Sequence, residues 1–320
     1  MEICTPKKFF LSIIFSFKNE ADVIPELISR VRKATVQARE MLRGYELIFV
    51  NDASTDASRE LLNKLGKENN DIIIINMSRT FGVAPCVIAG FEKARGDILI
   101  YLDCDLQDPP EIIPQLIQKA QQGYDIVHTV RLSRKGESRI KLAITRLGYK
   151  ILRAMSSINL VSNAGDFKLL TRKAADAVLR CKETKPFIRG LVTWVGFSQE
   201  YIYFHREPRA GGQTKFPIFS SGVINNFLNS ALISFSDVPI KLFFLFGICI
   251  SFLSFLYLPY VLIKHLLGYS IPINFLFIAA FFFLSGIILI GIGVIGIYIS
   301  SIFFEVKKRP LFIIDSIDIT

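Results

Sequence analysis

Four apolar runs, each closed by polar or charged residues, constrain the fold of this chain more than any other feature. Phe9–Phe17 ends in Lys18-Asn19-Glu20, Glu46–Val50 in "NDASTD", Ile72–Asn76 in "MSRTFG", and Ile98–Leu102 in Asp103-Cys104-Asp105. Unbroken apolar runs of this length read as strands buried on both faces, the condition of a parallel sheet. Helical spacing fills the intervals. One helix is expected to about Leu42, with Pro25 tolerated in its first turn. Others are expected to about Lys67, over Val83–Arg95 and over Pro110–Gln122. A fifth strand is expected over Asp125–Val130, ending near Arg131. Strands alternating with helices predict an α/β fold with a mostly parallel sheet covered on both faces. Ligands of such sheets sit beyond the carboxyl ends of the strands. Asn19/Glu20, Asn51/Asp52, Ser78/Arg79 and Asp103/Asp105 are therefore expected to meet along one edge.

Hydrophobic residues make up 51% of the chain, and they are unevenly spread. Residues 1–235 read as globular and 236–305 as membrane. Leu242–Ile263 and Tyr269–Phe304 carry no charged residue, and each is long enough for about 30 Å of hydrocarbon. Two spans are expected. Lys241 and the Lys307-Lys308-Arg309 cluster flank them on one side and Lys264 on the other, which predicts both ends on the cytoplasmic side of the inner (plasma) membrane. The expected organisation is a cytoplasmic domain over 1–215, an amphipathic juxtamembrane segment over 216–238, two transmembrane helices over 239–305 and a cytoplasmic tail over 306–320. Ser133–Ser157 reads as a basic amphipathic helix, either solvated or lying on a membrane surface. An oligomer packed through the spans is also expected. The N-terminus lacks the features of a signal peptide, and "FFLSIIFSF" is too short to span.

A net charge of +10 suits an anionic membrane surface or anionic substrates. No nucleic-acid-binding pattern is present. The five cysteines are scattered without C-x-x-C, against both a disulfide framework and a thiolate metal site. His128, His205 and His265 lie too far apart for a metal spacing and are expected to be structural. Trp194 is expected in the core.

The acidic residues carry the chemistry. Asp103 and Asp105, one residue apart at a strand end, offer two hard oxygen ligands for Mg²⁺ or Mn²⁺, metals that bind through one or two carboxylates plus substrate phosphates. The alternative, a cap for the helix after "DPP", is served by Asp108. Asp52 sits in a strand-to-helix turn, free to accept hydrogen bonds from a nucleobase edge because Ser54, Thr55 or Asp56 can cap instead. Glu20 is either a ligand contact or a first-turn acid favoured by the helix dipole. Asp166 in "GDFKLLTR" is a candidate catalytic carboxylate, Thr171 being the better cap of the helix that follows. Arg206, Arg209 and Lys215 in "HREPRAGGQTKFP" could clamp phosphate oxygens, and Gly211-Gly212 lets backbone approach a ligand.

Glu20, "VNDASTD", "SRTFG", "AGFEKARGD", "DCDLQDPP", "GDFKLLTR", "RGLVTWVGF" and "REPRAGGQTKFP" occur in the order seen in polyprenyl-phosphate glycosyltransferases. Over about residues 9–304 the chain resembles dolichyl-phosphate mannose synthases and, more closely, bacterial polyprenyl-phosphate glucosyltransferases. The resemblance implies a GT-A fold, a nucleotide-sugar donor, Mg²⁺ or Mn²⁺, and inversion at the anomeric carbon. It implies UDP-glucose as donor and polyprenyl phosphate as acceptor; similar enzymes use GDP-mannose, UDP-N-acetylglucosamine or UDP-amino-arabinose. It places Asp52, with Glu20, Arg79 and Gln107, around the nucleotide sugar. Asp103 and Asp105 fall at the diphosphate–metal site, Asp105 and Asp166 at the catalytic centre, and Arg131, Arg206, Arg209 and Lys215 at the lipid phosphate. The chain departs from the family pattern at Lys18 for Tyr, Asn51 for Asp, Ala53 for Gly, Thr80 for Asn and Val83 for Lys. The Q-x-x-R-W motif of processive synthases is absent, since the sole tryptophan lies in "LVTWVGF". A non-enzymatic membrane protein would need buried charges along its spans, which these stretches lack.

Overall fold

The computed structural model describes residues 8–68, 70–133, 164–184, 186–205, 263, 267 and 273–319. The first half alternates as expected: β1 (Phe9–Phe17), α1 (Ile24–Gln37), β2 (Leu42–Asn51), α2 (Ser58–Lys67), β3 (Ile72–Met77), α3 (Val83–Lys93) and β4 (Ile98–Asp103). The first helix stops before Leu42 because that residue already pairs with Phe9 in the sheet. Pro110–Ile112 forms a single 3-10 turn ahead of α4 (Ile113–Gln121), and Pro114 suits the first turn of that helix. Then come β5 (Ile126–Ser133), β6 (Ala164–Thr171), α5 (Arg172–Arg180), α6 (Ile188–Trp194), β7 (Gln199–His205), α7 (Ile273–Lys307) and β8 (Ile314–Ile319).

The sheet has the order β7-β5-β6-β4-β1-β2-β3-β8. β1 to β4 run parallel, as do β5 and β7. β6 and β8 run against their neighbours. The α/β, mostly parallel architecture thus matches the pattern of apolar runs. β6 alternates: Phe167 and Leu169 join the core with Ile100 and Leu102, while Asp166 and Lys168 take the opposite face. The segment 306–320, expected as a tail, supplies β8, where Ser316 and Asp318 accept hydrogen bonds from Asn76 on β3.

The chain divides into two units, 1–154 with 158–224 and 309–320, and 155–157 with 225–308. The sheet belongs to the first. In the second, α7 runs for 35 residues with no charged residue before Glu305. No membrane crossing is established among the described residues, and the first expected span, the juxtamembrane segment and the basic helix over Ser133–Ser157 fall almost wholly outside them.

At the edge of the sheet away from the strand carboxyl ends, the buried Glu46 accepts from Ser12 Oγ (2.6 Å), the Arg95 N–H (2.7 Å) and Arg95 Nε (2.9 Å). The Gly96 N–H donates to Ser12 Oγ. A Cβ on Gly96 would stand 2.6 Å from both the Ile98 carbonyl oxygen and the Ser12 nitrogen, which are backbone atoms that cannot swing aside. Gly96→Ala is expected to cost about 1–3 kcal/mol, a fall of roughly 3–10 °C in Tm for the full chain in detergent. An unchanged melting curve would show that the clasp tolerates a side chain.

Candidate active site

The carboxyl ends of β1, β2, β3 and β4 form one edge, and their loops are laced together there. The Asn19 N–H donates to Ser54 Oγ, the Thr55 N–H to Asn19 Oδ1, and Lys18 Nζ to Thr80 Oγ1 (2.8 Å). Asn19 and Ala53 both hold positive φ (55° and 54°), so the position where the family favours glycine does take a left-handed conformation here. The Glu20 N–H donates to Ser58 Oγ.

Asp52 is buried, and its carboxylate accepts the N–H groups of Phe81 (2.6 Å) and Gly82 (3.1 Å). It therefore organises the β3–α3 turn whatever else it contacts. In that turn the Arg79 guanidinium lies 4.1 Å from the centroid of the Phe81 ring, a cation–π distance.

Asp103 ends β4. Its Oδ1 accepts the Tyr101 hydroxyl at 2.6 Å, and Ser16 Oγ stands 3.1 Å from that hydroxyl. Asp105 Oδ1 accepts the Gln107 N–H at 3.2 Å. Leu106 between them takes φ 54°, a costly conformation for a bulky residue. It makes the tight turn in which the Gln107 N–H reaches back to Asp105. Among the described residues, each carboxylate uses one oxygen in these hydrogen bonds and keeps its Oδ2 available. No group of three metal-ligating side chains occurs among the described residues. Two available carboxylate oxygens fit Mg²⁺ or Mn²⁺ that completes its shell with water and phosphate.

Asp166 faces Arg189 from α6, which donates Nε to Oδ1 at 2.7 Å and Nη2 to Oδ2. Burial alone would raise the Asp166 carboxyl, but Arg189, with Lys168 and Arg131, holds it well below the usual carboxylate range. Asp103 moves the other way: burial, then the charge of Asp166, pushes it up to about 7. One carboxylate is thus firmly ionised and its neighbour is poised.

Asp108 does more than the cap role expected of it after "DPP". Its buried carboxylate accepts Arg131 Nε (3.2 Å) and Nη2 (2.8 Å). The ion pair is needed because a buried guanidinium without a carboxylate would be very costly. Arg131 passes close to Gly165, where a Cβ would stand 3.3 Å from Nη2. Trp194 is not in the core: it ends α6 with 57% of its surface exposed, just before Gly196 turns the chain at φ 83°. Arg206, Arg209 and Lys215 lie outside the described residues.

Arg189 escaped the sequence reading, though "RGLVTWVGF" contains it; only the tertiary fold, in which α6 packs against α5, brings it to Asp166. Lys168, 1% exposed, escaped too. His128 is structural as expected: Nε2 is 2.9 Å from Gln199 Oε1, and the ring stacks on Tyr201. Burial, then the charge of Lys168, lowers its pKa to about 4. A histidine depressed in the folded state contributes stability above its ordinary pKa and loses it as pH falls toward the folded value. The wild type should therefore lose up to about 3 kcal/mol between pH 6.5 and 4 from this residue alone. Denaturant melts across that range should show a shallower loss for His128→Gln; equal slopes would remove histidine titration as a cause.

The chain matches the family model described as glycosyl transferase family 2 over residues 12–179. It is 37% identical over 308 residues to an uncharacterized glycosyltransferase of Synechocystis sp., covering 96% of this chain and 95% of the relative. It is 33% identical over 308 residues to the bactoprenol glucosyl transferase of Shigella phage SfII, covering 95% and 97%. Among solved structures, the glucosyl-3-phosphoglycerate synthase of Mycobacterium tuberculosis in complex with uridine diphosphate is similar with a TM-score of 0.44 at 16% identity, over 68% of this chain and 79% of that one. On the family match and the two relatives that align along nearly its whole length, this chain belongs to glycosyl transferase family 2.

Proposed function

We propose that the protein transfers glucose from UDP-glucose to a polyprenyl phosphate at the cytoplasmic face of the inner membrane, with inversion at the anomeric carbon and with Mg²⁺ or Mn²⁺. The observation that carries this reading is the pairing of Asp103 and Asp105, each with an available oxygen, beside the Asp166–Arg189 pair on one strand edge. The likeness to a bactoprenol glucosyl transferase supports the sugar and the acceptor. The uncharged stretch 242–263 and the long helix α7 support a membrane location, since 35 residues of helix reach about 52 Å.

A phosphate oxygen of the acceptor attacks the anomeric carbon as the bond from that carbon to UDP breaks on the opposite face. The acceptor oxygen is already anionic near neutral pH, so no strong base is required. Asp166, kept ionised by Arg189, suits orientation better than proton abstraction. A divalent cation at Asp103 and Asp105 supplies charge neutralisation at the departing diphosphate. Asp52 and Glu20 are proposed for the nucleoside, Arg79 and Gln107 for the rest of the donor. Arg131, Arg206, Arg209 and Lys215 are proposed to offset the charge of the acceptor phosphate.

The test is transfer of radiolabelled sugar to a short-chain polyprenyl phosphate by the purified chain in detergent. UDP-glucose and GDP-mannose are compared, each with Mg²⁺ and with EDTA. Label in the lipid phase from UDP-glucose, lost with EDTA, is the expected result. Label only from GDP-mannose would keep the reaction class and overturn the sugar. No transfer from any nucleotide sugar would sink the reading.

A further inference from the structure

The face of the sheet that carries Asp103 and Asp166 also carries a buried lysine to which the transfer reaction, as set out above, gives no role. Lys168 sits two residues from Asp166 on β6 and directly opposite Tyr101 on β4. Tyr101 sits two residues from Asp103. Side chains alternate along strands, so Asp103, Tyr101, Lys168 and Asp166 share one face as a two-by-two block. On its other side Lys168 pairs in register with His128.

The charges of the site are unevenly matched. Asp166 has Arg189, and Asp108 has Arg131. Asp103 receives only the Tyr101 hydroxyl among the described residues. No described hydrogen bond commits the Lys168 ammonium to an acceptor, although it is 1% exposed and feels the charges of Asp166, Arg189 and Asp103. A buried ammonium is costly to hold, and an apolar side chain of similar length would serve the strand at least as well. A structural role does not account for it. The neighbouring His128 is uncharged at neutral pH and leaves Lys168 as the cation of this row.

Resting on the glycosyl-transfer reading, we propose that Lys168 is a positioning residue: its ammonium stands beneath Asp103 and Asp166 and holds the two carboxylates together against their repulsion. Donor and acceptor then meet above a single arrangement of the two acids. Without the cation the carboxylates spread, and both substrates remain bound in a geometry that reacts slowly.

The experiment uses the full chain in detergent with UDP-glucose and a short-chain polyprenyl phosphate. It measures kcat, both KM values and Tm for wild type, Lys168→Met and Lys168→Arg. The expected result for Lys168→Met is a kcat lower by about a hundredfold, donor and acceptor KM within about threefold, and a Tm no lower than wild type. Lys168→Arg, which keeps the charge, should recover kcat to within about tenfold of wild type. Turnover by Lys168→Met within about threefold of wild type overturns the proposal, as does a folded Lys168→Arg no faster than Lys168→Met. If Met costs the fold, Lys168→Arg alone decides: a loss beyond about tenfold counts against the proposal. An inactive wild type with every nucleotide sugar would instead bring down the transfer reading, and this inference with it.

Discussion

Asp103→Asn lowers transfer by about a thousandfold and leaves the melting temperature unchanged or higher. The two effects have one cause. Asp103 stands beside Asp166 and Asp105, and burial with the Asp166 charge lifts its pKa to about 7. The ionised carboxylate is therefore held at a cost, which a neutral amide removes. The amide oxygen still accepts the Tyr101 hydroxyl, so the strand end keeps its shape. What is lost is the anionic ligand. Charge stabilisation by a bound divalent ion contributes several kcal/mol to the transition state, and about 4 kcal/mol corresponds to about a thousandfold. Asp105→Asn should behave likewise, since its amide oxygen still accepts the Gln107 N–H. Initial rates at saturating Mg²⁺ and at saturating Mn²⁺, with a thermal melt of each variant, check the expectation. Rates within about threefold of wild type in both variants would remove the metal assignment.

Arg189→Met lowers kcat by about a hundredfold and changes the form of the pH profile. The wild-type guanidinium holds both oxygens of Asp166 and keeps its pKa depressed. A depressed carboxyl contributes stability above its ordinary pKa and loses it as pH falls through the folded value. Without Arg189, burial dominates and the Asp166 pKa rises. The variant should therefore be least active at low pH and recover part of its kcat as pH rises, while the contribution of Asp166 to its stability is greatest at low pH and is lost as pH rises through the raised pKa; ionisation of Asp166 in the wild type leaves no such limb. The stability cost near neutral pH is about 2 kcal/mol, below that of a fully buried pair because both side chains keep some solvent contact. Measuring kcat from pH 5 to 9 for both proteins decides it. Parallel profiles would show that Arg189 does not control the protonation of Asp166.

Part of this site is legible in the chain itself. Strands buried on both faces must be apolar throughout, so β1 to β4 announce themselves, and a parallel sheet must place their polar ends on one edge. That is how Asp52, Asp103 and Asp105 could be found together. Asp166, Lys168 and Arg189 could not be placed so directly. β6 alternates polar and apolar residues, and an alternating segment becomes a strand only when partners such as β4 and β5 cover it. Asp108 reads as a cap because its neighbours are prolines, yet Arg131, 23 residues on, claims its carboxylate. Asp52 reads as free, yet the Phe81 and Gly82 N–H groups take its oxygens. Composition and periodicity, which are local properties, determined the apolar runs, the α/β class and the acidic strand end. Only the tertiary structure decided which cation each carboxylate meets, because ion pairs and buried hydrogen bonds depend on distances in space that separation along the chain does not set.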